Sequence, residues 1–325
     1  MPGTPRYLQR EGEGKSEPPA PLGTLRPIEP ESGVSGANRS DFDTMNDPRR
    51  DRPIGVFDSG MGGLTVMRAL MRRLPHEEFV YLGDTARLPY GTKSPGTVAR
   101  YALQCSDALA PFDVKLLVVA CNTASAVALP ALRDRLAPVP VLGVIEPGAD
   151  AAIMGAAHGR VLVLATESTV SGGAYPRAIE ERLPGSEVRQ VACPLFVALA
   201  EEGIVEGPAV EWIARHYLGS FFERNGRPES VLLGCTHFPV LAGAIGAVAG
   251  PDVRLVDSAE TTANAVERLL ATSGLARAEG TPDPPRFLVT DAPERFARVG
   301  ATFLGGPIDP ERVSQVDLQL IPHRS

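Results

Sequence analysis

The stretch LLVVACNTASAVALPAL, residues 116–132, decides the fold: a run of branched apolar residues ends at a cysteine, and a helical pattern follows at once. A second stretch, VLLGCTHFPVLAGAI at residues 231–245, repeats that order, and Cys235 follows Cys121 by 235 − 121 = 114 residues. Strand, cysteine and helix in this order predict parallel sheets whose strands end in polar residues, where open α/β sheets bind ligands. The repetition predicts two similar halves that face each other across one site.

The same alternation continues along the chain from Pro53 onward. Short β-branched runs and longer helical patterns alternate, which is typical of parallel sheets covered by helices on both faces and places the protein in the α/β class. Strands are predicted at residues 54–58, 79–83, 116–120, 141–144, 161–165, 188–192, 231–234, 253–256 and 287–290. Helices are predicted between them, among others at residues 64–74, 124–136, 210–224 and 262–271.

The composition is that of a globular protein, with 43% hydrophobic and 22% charged residues and a formal charge of -7. A negative chain has no broad positive field, so we expect no general affinity for nucleic acid or for an anionic membrane. No apolar run approaches the roughly 20 residues that span a bilayer, and the N-terminus lacks an apolar signal core. These features predict a cytoplasmic location.

Residues 1–52 differ from the rest of the chain in composition. They are rich in Pro, Gly, Ser, Glu and Arg and poor in apolar residues, so they cannot bury enough surface to offset the entropy of ordering. We therefore expect a disordered leader. Met45 lies just before the first predicted strand, and translation could begin there.

The four cysteines are far apart and form no C-x-x-C pair, so free thiols are expected. Cys121 and Cys235 each end a strand and precede a helix, where unpaired N–H groups and the helix dipole stabilise a thiolate. One such cysteine could be a small buried hydrophobe, but two in matching positions favour reactive thiols. Cys105 and Cys193 lack polar neighbours of this kind, and we expect them in the core.

Further polar residues follow the strands. Asp58 and Ser59 begin the turn DSGMGG, whose glycines allow backbone amides to approach an anion, although Asp58 could instead cap the next helix. The loop GDTARLPYG carries other candidate pocket residues, or is an ordinary turn. The remaining candidates are Asp84, Tyr90, Gly91, Asn122, Thr123, Glu146, Thr236 and His237.

The sequence does not favour a bound metal or cofactor. Its His and Cys residues form no closely spaced ligand pairs of the kind that bind zinc. Pyridoxal phosphate needs a Schiff-base lysine, and of Lys15, Lys93 and Lys115 none lies in a phosphate-binding motif. We expect a reaction without metal or cofactor.

Five motifs in order, DSGMGGL, GDTARLPYG, ACNTAS, GVIEPG and GCTHFP, resemble the glutamate racemase family, although pairs like ACNT and GCTH recur in the wider aspartate/glutamate racemase superfamily. The resemblance runs from about residue 53 to residue 304. It implies two flavodoxin-like domains related by pseudo-symmetry, with the active site in the cleft between them. Residues 53–146 with 257–304 would form the first domain, residues 147–256 the second, and residues 305–325 a C-terminal tail.

The resemblance also implies the chemistry. Cys121 and Cys235 match the family's catalytic cysteines, which exchange the α-proton of glutamate from opposite faces. It implies interconversion of L- and D-glutamate, supply of D-glutamate for peptidoglycan, and a homodimer. The substrate-binding positions match Asp58, Ser59, Tyr90, Gly91, Asn122, Thr123, Thr236 and His237, and Asp84 and Glu146 match supporting acidic positions.

Other functions stay open at this point. Another racemase or isomerase of the superfamily, acting on aspartate, a hydantoin or a dicarboxylate, would carry similar motifs. A protein that binds a small ligand without turnover could keep the same cleft. A thiol hydrolase is less favoured, because no histidine adjoins Cys121 in sequence.

Overall fold

A computed structural model describes residues 47–223 and 227–318. Two sheets, each entirely parallel, organise this part of the chain, which confirms the α/β class. The first sheet has the strand order β10-β9-β2-β1-β3-β4 and the second the order β6-β5-β7-β8. The strands are β1 (Ile54–Asp58), β2 (Phe79–Gly83), β3 (Leu116–Val119), β4 (Val141–Gly143), β5 (Arg160–Ala165), β6 (Glu187–Ala192), β7 (Ser230–Gly234), β8 (Arg254–Asp257), β9 (Arg286–Val289) and β10 (Val313–Gln315).

The two sheets share one winding pattern. In each, the first strand in sequence lies between the second and the third, and the fourth follows the third, as in flavodoxin-type sheets. The winding reverses direction next to the first strand, and the crevice at that point is where such sheets bind ligands. The matching order therefore puts β1 and β3 of one sheet and β5 and β7 of the other beside their crevices.

Helices connect the strands and cover both faces of each sheet. They are α1 (Leu64–Arg73), α2 (Pro95–Leu109), α3 (Asn122–Val127), α4 (Leu129–Leu136), α5 (Ile145–Ile153), α6 (Glu167–Gly172), α7 (Ala174–Arg182), α8 (Pro194–Glu201), α9 (Pro208–Phe222), α10 (Ala242–Ala249), α11 (Ser258–Ser273) and α12 (Pro293–Leu304). Among the described residues no helix is long and apolar enough to cross a membrane.

Side chains alternate between the two faces along each strand, so each sheet has a hydrophobic core on both faces. In β3, Leu116 and Val118 pack into one core while Leu117 and Val119 pack into the other, because successive side chains point to opposite faces. β7 repeats this arrangement, with Val231 on one face and Leu232 on the other. Strands buried on both faces read as continuous apolar runs, which explains why the sequence located them well.

The nine predicted strands are confirmed to within one residue at each end. The predicted helix 124–136 was wrong as one element, since α3 ends at Val127 and α4 begins at Leu129. Pro130 explains the break, because proline has no N–H to donate and its ring collides with the carbonyl four residues earlier. The interruption confines the helix that starts at Cys121 to six residues.

Both predicted ends of the folded region need correction. Strand β10 (Val313–Gln315) pairs with β9, so the predicted tail contributes to the first sheet beyond residue 304. At the other end, Pro48–Asp51 form a 3-10 turn, although the leader was predicted to be disordered through residue 52. This turn is anchored because Arg50 Nε donates to the Ala276 carbonyl at 2.7 Å and the Arg50 carbonyl accepts from Lys115. Residues 1–46 of the leader, which include Met45, lie outside the described residues.

Candidate active site

Cys121 sits between strand β3 and helix α3, as the residue that caps the helix. Its Sγ accepts a hydrogen bond from the Ala124 amide at 3.4 Å and donates to Ser59 Oγ at 3.5 Å. Only 4% of the residue is exposed. Burial, followed by the charge of Asp58, raises the pKa of the Cys121 thiol to about 12. Cys121 is therefore a protonated thiol at neutral pH when the cleft is empty.

Cys235 follows strand β7 of the second sheet and has a different partner. Its Sγ lies 3.7 Å from His237 Nδ1, and His237 Nε2 lies 2.6 Å from Glu201 Oε1. Burial alone would lower the pKa of His237, but the hydrogen bonds and charges of Cys235 and Glu201 outweigh it and raise that pKa well above its usual value. A protonated imidazole at this distance can exchange a proton with the Cys235 sulfur.

Asp58, the last residue of β1, contacts both halves. Its carboxylate accepts from the Gly60 amide at 3.0 Å and from Thr236 Oγ1 at 3.4 Å, so it joins the first sheet to the second. Burial raises the pKa of Asp58 above its usual value, and the charge of His237 opposes this only in part. Asp58 thus touches residues on both sides of the cleft.

Gly62 of the turn after β1 permits a close approach between the two halves. A Cβ atom at this position would lie 2.5 Å from Thr236 Oγ1 and 2.6 Å from His237 Nδ1. From the sequence, these glycines are expected to let backbone amides approach an anion. In the structure Gly62 instead makes room for the side chains that follow Cys235.

Tyr90 and Gly91 reach the cleft from the loop after β2. The Tyr90 hydroxyl donates to Asp84 Oδ2, and the same oxygen accepts from Arg87 Nε at 2.7 Å. Asp84 is fully buried, and this hydrogen bond fixes the position of the Tyr90 hydroxyl. Gly91 lies against Thr166 of the second half, where a Cβ atom would come within 2.5 Å of the threonine Cβ.

Asn122 and Thr123, which follow Cys121, bond to the second half. The Asn122 amide nitrogen donates to the Tyr175 hydroxyl at 2.6 Å, while its buried Oδ1 has no protein partner. Thr123 Oγ1 forms a triangle of hydroxyls with Thr166 at 2.9 Å and Thr169 at 3.1 Å. Polar contacts therefore join the start of helix α3 to the segment around α6 and to α7.

A closed cleft joins these groups. Its lining consists of Ser59, Leu88, Pro89, Tyr90, Gly91, Cys121, Asn122, Thr123, Thr166, Val197, Cys235, Thr236 and His237. His237 is the one basic side chain of this lining, so carboxylates of a ligand would have to be bound largely by hydroxyl, amide and backbone N–H donors. In the described parts of the chain no group of three or more His, Cys, Asp or Glu residues could hold a metal ion.

One predicted site residue lies elsewhere. Glu146 is in the first turn of α5, with its side chain 53% exposed and paired with Arg182, outside the cleft lining. The helix begins at Ile145, whose side chain is buried, and the next residue along a helix points outward. A third acidic side chain, Glu201, contacts the cleft lining beside Asp58 and Asp84, through His237.

Glu201, Tyr175, Thr166 and Thr169 are cleft residues that were not predicted from the sequence. Thr166 and Thr169 follow the end of β5, and that position is the signal that could have identified them. Glu201 and Tyr175 lie within helices, in sequence patterns that do not distinguish them from surface or core residues. Only the tertiary structure brings them to the cleft.

Comparison with known proteins assigns the family. The family model described as Asp/Glu/Hydantoin racemase matches residues 54–266, and the chain belongs to that family. Among curated relatives, the glutamate racemase of Geobacter metallireducens is 48% identical over 268 residues, covering 82% of this chain and 97% of its own.

Solved structures give the same result. The crystal structure of glutamate racemase from Francisella tularensis in complex with D-glutamate is 38% identical, with a TM-score of 0.76, and covers 83% of this chain and 98% of its own. The Thermus thermophilus glutamate racemase in complex with beta-chloro-D-alanine is 46% identical, with a TM-score of 0.73 and the same coverage of both chains. The predicted resemblance to glutamate racemases is confirmed.

Proposed function

We propose that this protein interconverts L- and D-glutamate without a bound cofactor, using Cys121 and Cys235 as its two acid–base groups. The observation that carries the proposal is that one closed cleft is lined by both cysteines, each delivered from the end of a strand in a different sheet. The similarity to glutamate racemases over almost their full length supports glutamate as the substrate. The halves predicted at residues 53–146 with 257–304 and at residues 147–256 would form the two walls.

Two acid–base groups on opposite faces of Cα suffice for racemisation. One thiolate removes the α-proton, and the electron pair of the broken C–H bond stays on the substrate as a carbanion delocalised into its carboxylate. The other thiol delivers its proton to the opposite face, so each turnover exchanges the roles of the two sulfurs. In the resting protein the elevated pKa of Cys121 and the protonated His237 beside Cys235 support Cys235 as the base and Cys121 as the acid.

By resemblance to the family, Cys235 would then act on L-glutamate and Cys121 on D-glutamate. The product leaves the protein with the opposite protonation state, Cys121 as thiolate and Cys235 as thiol. The charge of Asp58 favours the return of the proton to Cys121, because it raises the pKa of that thiol. The pair therefore titrates as a coupled system and not as two independent thiols.

Stabilising the carbanion falls to donors around the carboxylates. We assign this role to Ser59, Tyr90, Gly91, Asn122, Thr123 and Thr236, all of which line the cleft. Asn122 already donates to Tyr175, which fixes its orientation before a ligand binds. Loss of one such donor is expected to lower turnover by a factor corresponding to roughly 2.7–4 kcal/mol, as for oxyanion holes.

Incubation of the purified protein with L-glutamate, and separately with L-aspartate, in deuterated buffer without added cofactor tests the proposal. Optical rotation reports racemisation and the NMR signal of the α-proton reports exchange. We expect both changes with glutamate and neither with aspartate. Activity on aspartate alone would change the substrate, and no exchange with either would leave a ligand-binding protein.

The cellular role follows from the substrate, and the oligomeric state follows from the family resemblance. A glutamate racemase supplies D-glutamate for peptidoglycan, so we propose a role in cell-wall synthesis and cell shape, in the cytoplasm where the precursors are made. We also propose a homodimer, as the family resemblance implies. Sedimentation velocity of the full chain measures this oligomeric state directly.

A further inference from the structure

Helix α12 contacts the Cys235 side of the cleft, although it follows β9 of the other sheet. Arg295 near its start reaches Glu201 at the end of α8, with Nη1 lying 3.2 Å from Glu201 Oε2 and Nη2 donating to the Glu201 carbonyl at 2.9 Å. Phe303 near its end packs edge-on against the His237 ring, with centroids 5.4 Å apart. One helix of the first half therefore touches both members of the Glu201–His237 pair.

The Glu201 carboxylate is bonded on both oxygens. Oε1 is 2.6 Å from His237 Nε2, Oε2 is occupied by Arg295, and only 9% of the side chain is exposed. A buried carboxylate is costly unless its oxygens are paired, and a single partner would leave it free to rotate away. Burial raises the pKa of Glu201, but His237 and then Arg295 outweigh this and lower it below its usual value.

We propose that Arg295 is a positioning residue that holds Glu201 from across the cleft, so that His237 keeps its Nδ1 directed at Cys235. The contact joins an element of each half, so Glu201 and His237 are fully ordered only while α12 and α8 are together. Opening of the cleft and loss of the proton partner of Cys235 would then occur in one movement. This inference rests on the proposed racemase function.

Several charged and titratable groups surround the pair. Cys235, which follows β7, contacts His237, and the charge of Asp58 at the end of β1 interacts with both His237 and Glu201. Glu202 accepts from Arg295 at 3.4 Å. Tyr81 interacts electrostatically with Glu201 and Asp58. Arg295 is the one cation of this group apart from His237 itself, so its removal leaves Asp58, Glu201 and Glu202 with less compensation.

The test is Arg295→Ala, with Arg298→Ala as the matched control because Arg298 is exposed on the same helix. Values of kcat/KM are measured in both directions across pH. We expect Arg295→Ala to lower kcat/KM roughly tenfold, the loss typical of a hydrogen bond to a charged group. The loss should be equal in both directions, since the equilibrium constant between enantiomers fixes their ratio. The acid limb of the profile should move to higher pH, because Glu201 protonates more easily without Arg295.

Rescue separates positioning from packing. Arg295→Lys retains one donor and should recover part of the activity and part of the pH shift, while Arg298→Ala should match the parent protein. An Arg295→Ala protein with a parental profile, or one with a lower kcat/KM and an unmoved acid limb, would overturn the proposal. Should the alanine variant fail to fold, the shift between the lysine variant and the parent protein decides the question.

A second readout does not depend on turnover. Alkylation of Cys235 by iodoacetamide, followed by mass spectrometry of its peptide, reports the thiolate fraction against pH. We expect slower alkylation near neutral pH in Arg295→Ala than in the parent and in Arg298→Ala, and equal rates would contradict the inference. A parent protein that does not racemise glutamate at all would instead remove the proposed function, whatever the alkylation rates show.

Discussion

The two sides of the cleft have similar backbones and different chemistry. Each cysteine follows a strand and precedes a helical turn, but Cys121 bonds to a hydroxyl and lies near Asp58, whereas Cys235 faces an imidazole supported by Glu201. A symmetric pair of thiols would have no reason to rest with one proton on one side. The difference in partners separates the roles of the two sides, since Cys121 is held as a thiol and Cys235 has a protonated imidazole as its partner.

The largest effect is expected from removing either thiol. Cys121→Ala and Cys235→Ala should each abolish measurable racemisation, because one remaining base can return the proton only to the face it came from. Both proteins should still fold, since each change removes a single buried atom. Cys193→Ala is the matched control, because Cys193 is fully buried and does not line the cleft. Near-normal turnover in either variant would end the two-base assignment.

Gly62→Ala should break the contact between the two sides. Its Cβ would lie within 2.6 Å of both Thr236 Oγ1 and His237 Nδ1, so those groups must shift. We expect a decrease in kcat/KM of roughly a hundredfold, as for misplacements of about 1 Å near the reacting groups. Gly96→Ala serves as the control, because a Cβ at that position meets nothing within 4 Å. Equal activity in both variants would show that the approach of the halves is not needed.

His237→Gln should alter stability with a defined pH dependence. The pKa of His237 is raised in the folded protein, so its protonated form contributes stability in full below the unfolded value near 6.5 and loses it as pH rises through the folded value. Urea unfolding should show the variant to be less stable by about 1–2 kcal/mol at pH 6. The difference in unfolding free energy between His237→Gln and the parent protein should narrow at higher pH. A constant gap would argue against a charged imidazole.

Asp58→Asn, on the Cys121 side of the cleft, should change the free energy of unfolding in the opposite direction. The pKa of Asp58 is raised by burial, so its carboxylate lowers stability above the ordinary value of 3.8, and this cost increases until the pH passes the folded value. Because asparagine keeps the shape and an acceptor oxygen, we expect a gain of roughly 1 kcal/mol at pH 7 together with slower racemisation. Loss of stability at pH 7 would mean that the ionised carboxylate is needed by the fold.

The strands and their polar ends could be predicted from the sequence, because buried parallel strands give continuous apolar runs and both cysteines and their polar neighbours closely follow one. Strand β10 could not, since three residues, VSQ, carry no apolar pattern. Glu201 and Arg295 were equally invisible, because each is an ordinary charged residue on a helix until tertiary contacts bring the two together. Glu146 is the converse case. Its motif matches the family, but its side chain pairs with Arg182 outside the cleft lining.

The position of the isotope after the first turnovers tests the two-sided mechanism most directly. L-Glutamate is incubated in deuterated buffer, and both enantiomers are isolated while little has reacted. We predict that D-glutamate carries deuterium at Cα from its first appearance while the remaining L-glutamate keeps its proton, since the second thiol delivers a solvent-derived hydron. Protium in the new D-glutamate would show that one group carries the proton across, contradicting the assignment of opposite faces to Cys121 and Cys235.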